Sequence, residues 1–141
     1  MRKVTFLDLK YTYTALKSEM DSSFSRVMNS GYYIQGPELK AFEQNYAQYC
    51  GVKFCAGISN GLDALILLLR AYDVKAGDEV IVPSNTFIAT WLAVTAVGAI
   101  PVSVAPDINT YNIDVHKIEA AITSKTKAIM IVHLYGKSCN M

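Results

Sequence analysis

Apolar positions in the first fifty residues recur at helical spacing. Leu16, Met20, Phe24, Val27 and Met28 share one face of a helix that Gly31 should end, and Leu39, Phe42, Tyr46 and Tyr49 repeat the pattern between Gly36-Pro37 and Gly51. The period then shortens. Residues 53–58 read as a short strand, and a helix from Leu62 sets Leu65, Ile66, Leu69 and Tyr72 on one face with Leu67 and Leu68 on others. A helix apolar on nearly all sides is expected to be buried. Residues 79–82 form a buried strand halted by Pro83, and Ile88, Trp91, Leu92 and Thr95 mark a helix that Gly98 terminates. Strand 100–104 follows, then a loop from Pro106, a helix capped by Asp114 and bearing Val115, Ile118 and Ile122, and a buried strand over 128–132.

Strand and helix alternating in this way argue an α/β fold with a mainly parallel sheet covered on both faces. The pattern divides the chain into an amino-terminal helical segment, 1–50, and a strand-bearing part, 51–141. Composition agrees, with 52% hydrophobic and 18% charged residues. The 13 basic and 12 acidic side chains are interspersed and leave a net charge of +1, which gives no electrostatic footprint for nucleic acid or an anionic membrane. No apolar run approaches the ~18 residues of a spanning helix, and the amino terminus does not read as a signal peptide, so a cytoplasmic location is expected. Cys50, Cys55 and Cys139 are expected as reduced thiols. With His116 and His133 far from them in sequence, no metal site is expected.

The candidate chemistry lies at two strand-to-helix turns. At Gly57-Ile-Ser-Asn-Gly-Leu-Asp63 a polar, glycine-bearing turn runs into a helix whose first amides lack intrahelical partners and sit at the positive end of the dipole. Such a start suits a phosphate, and Gly61 removes the side chain that would obstruct it. The same residues also describe an ordinary capped start, with Ser59 or Asn60 as cap and Asp63 in the first turn. Neither a Walker A loop nor Gly-x-Gly-x-x-Gly is present. At the second turn, Pro83-Ser-Asn-Thr-Phe87, Phe87 is placed either to lie against a planar ring or to pack in the core.

Several blocks, in order, resemble one family. Asn60-Gly-Leu-Asp-Ala-Leu65, Gly77-Asp-Glu-Val-Ile-Val-Pro-Ser-Asn-Thr-Phe87, Gly98-Ala-Ile-Pro-Val102, Pro106-Asp-Ile-Asn-Thr-Tyr-Asn-Ile-Asp114 and Val132-His-Leu-Tyr-Gly136 are similar to the amino-terminal part of the DegT/DnrJ/EryC1/StrS sugar aminotransferases. The wording is most similar to members that aminate C3 of a dTDP-linked 3-keto-6-deoxyhexose. The resemblance implies an aspartate-aminotransferase-type large domain, fold type I, here incomplete. It also implies pyridoxal 5'-phosphate as cofactor, a nucleotide-sugar substrate, an amino-acid donor expected to be glutamate, and a homodimer. By the same resemblance Gly61 and Leu62 give backbone amides to the phosphate, Asn60 shapes the turn, and Phe87 stacks on the ring. Asp63 is expected to point away, because two anions in contact repel.

The family's Schiff-base lysine and pyridine-binding aspartate lie in motifs that this sequence does not match, so none of its ten lysines is assigned as catalytic. The end at Lys137-Ser-Cys-Asn-Met141 is expected to mark a fragment or interrupted reading frame, inactive by itself. The resemblance leaves open a parent of the family's dehydratase branch. A non-catalytic module that binds a phosphate ligand or a full-length partner is a further reading. Tyr32 and Tyr33 read as turn anchors before substrate contacts, Trp91 as packing, and His133 as a hydrogen-bonded core residue.

Overall fold

A computed structural model describes residues 4–141, which divide into two compact units, one ending at Gly57 and the other spanning Ile58–Met141. In the first, α1 (Leu9–Ser30) starts on Asp8, whose Oδ1 accepts from the Tyr11 amide at 3.1 Å, and ends on Gly31 at φ 72°. α2 (Pro37–Cys50) has Pro at its first position and closes on Gly51, also left-handed. The Arg26 guanidinium donates to Glu38 at 3.0 Å, tying α1 to the first turn of α2. That hydrogen bond holds the Glu38 carboxyl below its usual range and raises Arg26. Tyr33 anchors the turn between them through its hydroxyl, which donates to the Met28 carbonyl at 3.4 Å.

Residues 53–58 do not form the expected strand. A strand needs a ladder, and among the described residues no neighbour pairs with this segment; the Gly57 amide donates instead to the Glu43 carboxylate at 2.7 Å.

In the second unit the elements are α3 (Gly61–Ala71), β1 (Glu79–Pro83), α4 (Ala89–Ala96), β2 (Ile100–Val104), α5 (Val115–Ala121), β3 (Thr126–Ile129) and a 3₁₀ turn at Leu134–Gly136. The three strands are parallel in the order β2-β1-β3. Side-chain alternation along β1 builds a core on each face. Val80 and Val82 pack with Leu69, Val74, Ala93, Val94 and Ala99 beneath α3 and α4, while Ile81 packs with Val104, Ile113 and Cys139 on the side that Ile118 of α5 covers. The last strand begins and ends earlier than the expected 128–132, although the Met130 amide still donates to Ile81. α3 also differs from expectation. Only Leu69 is buried, and Leu67 and Leu68 remain exposed, because the sheet and α4 cover one side of the helix.

Two prolines lie where the ladder permits them. The Ile100 amide donates toward β1, so alternation turns the nitrogen of Pro101 to the outer edge of β2, where no hydrogen is required. The Ser84 amide donates to Val104 on the β2 side, which aims the nitrogen of Pro83 toward β3 and stops that pairing at Ile81.

Candidate functional site

The start of α3 and the end of β1 share one rim of the sheet. At the other rim Gly98, just past α4, lies against Ala76, just past α3, and the Ile100 amide donates to Asp78. α3 and α4 therefore finish together at the amino ends of the strands. Eleven helical residues and five strand residues each span roughly 16 Å, so α3 opens where β1 closes. The turns at 58–60 and 84–88 therefore lie toward the same carboxyl rim, the side on which α/β sheets bind ligands.

The start of α3 accommodates both readings of its sequence. Asn60 is the cap, its Oδ1 accepting from the Asp63 amide at 3.0 Å, and its carbonyl takes the Ala64 amide. That leaves the amides of Gly61 and Leu62 without acceptors among the described residues. Where a Cβ on Gly61 would stand, nothing lies within 4 Å, so the approach to these amides is open. The Asp63 carboxylate accepts from the Ser59 hydroxyl and from Asn60 Nδ2 at 3.0 Å, which engages it with the turn behind the helix start. The first two donors are left open, and the third is spent on the cap.

Phe87 is 79% exposed in this chain, on the turn that follows β1. The backbone that carries it is fixed: Trp91 Nε1 donates to the Pro83 carbonyl at 3.3 Å, and Thr86 Oγ1 donates to Thr90 Oγ1 at 3.2 Å. Trp91 thus packs and pins, as expected. His133 is hydrogen-bonded as expected, its Nδ1 accepting from the Cys139 amide at 3.1 Å, but it is exposed and not in the core. The three thiols are free, and no metal-binding cluster occurs among the described residues. No helix there is long and apolar enough to cross a membrane.

Pattern reading did not find Asn112. This buried side chain joins segments more than twenty residues apart: Nδ2 donates to the carbonyls of Lys137 and Ser138 at 3.0 Å, and Oδ1 accepts from the Leu134 amide at 3.2 Å. The only local signal was an amide side chain between Tyr111 and the apolar Ile113.

Comparison with known proteins bears on the family and the fold. The model of the DegT/DnrJ/EryC1/StrS aminotransferase family matches residues 14–141. The chain is 59% identical over 138 residues to a dTDP-3-amino-3,6-dideoxy-alpha-D-galactopyranose transaminase of Aneurinibacillus thermoaerophilus, covering 98% of this chain and 38% of that protein. It superposes on the crystal structure of Streptomyces venezuelae DesV in complex with a ketimine intermediate with a TM-score of 0.96 at 47% identity, covering 99% of this chain and 38% of the other. Against NtdA of Bacillus subtilis with bound cofactor PMP the TM-score is 0.94 at 37% identity, over 99% of this chain and 32% of that one. The chain spans well under half the length of the curated relatives it matches.

Proposed function

The chain belongs to the DegT/DnrJ/EryC1/StrS aminotransferase family, and from that membership we propose that it forms the first part of the cofactor-binding large domain of a nucleotide-sugar aminotransferase. In this reading residues 1–50 are an amino-terminal helical segment and 51–141 belong to the large domain. The parent moves an amino group from an amino-acid donor, glutamate, to a dTDP-linked keto-6-deoxyhexose, and works in the cytoplasm as a homodimer. The names of the relatives, two of them transaminases of dTDP-amino sugars, support the substrate class.

One observation carries the proposal: two free helix-start amides and an exposed aromatic ring share the carboxyl rim of a parallel sheet. Pyridoxal 5'-phosphate fits that arrangement. The Gly61 and Leu62 amides would hold its phosphate, Asn60 keeps those amides aimed by capping the helix one position further on, and Phe87 would lie against its ring. When bound, the cofactor supplies an electron sink for amino transfer. The residues of this chain seat and orient it, and none of the ten lysines is assigned to the reacting atoms, so the chain by itself is expected to be inactive.

Titration with pyridoxamine 5'-phosphate, followed by backbone amide resonances, tests the seat. Gly61 and Leu62 should shift, Gly61→Val should abolish the shift, and Phe87→Ala should weaken binding about 2- to 10-fold, the stacking range. Undisturbed amides at 61 and 62 would overturn the reading. Borohydride reduction with pyridoxal 5'-phosphate should fix no single lysine, whereas label confined to one site would refute the absence of a catalytic lysine.

A further inference from the structure

We propose that Asn85 is a positioning residue for the cofactor seat: its side-chain amide ties the turn that carries Phe87 to the loop after β2, and so fixes where the Phe87 ring stands. The inference rests on the reading above, because it takes Phe87 as the stacking ring.

A ring stacks well only when its face is held at the right offset and tilt, and holding it before the ligand arrives lowers the cost of binding. The Phe87 side chain has no polar atom by which it could be held, so its place follows from the backbone at 84–88. Several bonds close that turn onto the elements it joins. Thr86 Oγ1 donates to Thr90 Oγ1, Trp91 Nε1 donates to the Pro83 carbonyl, and the Thr90 amide donates to the Phe87 carbonyl at 3.1 Å. The Ser84 amide, donating to Val104 at 3.0 Å, starts the turn beside β2. Asn85 does something different. Its Nδ2 donates to the Tyr111 carbonyl at 2.9 Å, 26 residues away, and among the described residues this is the side-chain bond that joins the turn to another loop.

The acceptor is presented by a loop closed by its own bonds. The Asp107 amide donates to the Asn112 carbonyl at 2.9 Å and the Tyr111 amide to the Asp107 carbonyl at 2.8 Å. Asp107 Oδ1 accepts from the amides of Asn109 and Thr110, both at 2.9 Å. Asn112, the next residue, is buried and grips the carbonyls of Lys137 and Ser138 and the amide of Leu134. Two asparagines thus join in series the loops that follow β1, β2 and β3. The Tyr111 carbonyl takes no other donor among the described residues, so removing the Asn85 amide unties the Phe87 turn from this framework. One such bond is worth a factor of roughly 2 to 10 in an equilibrium. Because it reaches the ligand through Phe87, its loss should cost no more than Phe87→Ala does.

The full chain is titrated with pyridoxamine 5'-phosphate and, separately, with inorganic phosphate, and binding is read from the Gly61 and Leu62 amide resonances. Asn85→Ala should weaken pyridoxamine 5'-phosphate about 2- to 10-fold and leave phosphate unchanged. Asn85→Leu, which keeps the size and removes the donor, should match it. In a Phe87→Ala background, Asn85→Ala should add no further loss. Without ligand, the order parameter of the Phe87 amide should fall in Asn85→Ala from about 0.85 toward 0.6. Native affinity in either variant, an equal loss for phosphate, additive losses in the double variant or an unchanged Phe87 order parameter each overturn the inference. The cofactor reading fails separately, if the native chain shows no shift at Gly61 and Leu62, and the order parameter then still decides whether Asn85 holds the turn.

Discussion

Two asparagines illustrate how much one amide side chain can organise. Asn60 caps α3 and also holds Asp63, so Asn60→Ala should cost about 1 kcal/mol in urea unfolding, whereas Asn60→Asp should retain most of the cap. Its role follows from a local rule, since an amide before a helical run points to the N-cap. Asn112 acts over more than twenty residues, and no local rule announces such a bond. The left-handed backbone at Tyr111 was hidden for the same reason: its carbonyl is held by the side chain of Asn85, distant in sequence. Asp114 offers a test of charge. A hydrogen bond from Lys117, helped by the His116 amide, holds its carboxyl below the usual aspartate range. Its contribution to stability is therefore complete above the unfolded value of about 3.9 and is lost as pH falls through the lower folded value. Unfolding midpoints measured between neutral and strongly acidic pH should show that loss in the native chain, and Asp114→Asn should show a smaller one, the part due to Glu38 remaining.

The elements divide by how local their causes are. Gly31, Gly51, Pro37 and Asp114 fixed helix ends within the sequence itself, and β2 runs over the expected residues. The misread segments are those whose state depends on a neighbour. Residues 53–58 have strand-like composition but no ladder, and α3 is apolar all round yet covered on one side. β1 is the element on which both cores depend. Ile81→Ala should destabilise the chain by about 2–5 kcal/mol, while Ile129→Ala, half exposed on β3, should cost well under that. Chemical denaturation of the two variants side by side checks the contrast, and similar losses would mean that β1 is not the centre of the sheet.

At the scale of the molecule, surface is the governing quantity. Each unit leaves large apolar side chains open to solvent. Phe24, Phe42 and Tyr49 in the first and Leu67 and Leu68 in the second are examples. Apolar area of this kind favours association. The purified chain should bind a hydrophobic dye such as ANS and should sediment as a concentration-dependent oligomer; a dye-silent monomer with a sharp melt would contradict this.

The edges of the sheet are unequal templates. Along the outer side of β2 the ring nitrogen of Pro101 interrupts the row of donors, while alternation from the Met130 amide turns those of Ile129 and Ile131 outward beyond β3. Any further strand, from whatever polypeptide, would dock where the donor row is unbroken. The sheet is thus polarised for growth on one flank, and a single imino acid guards the other.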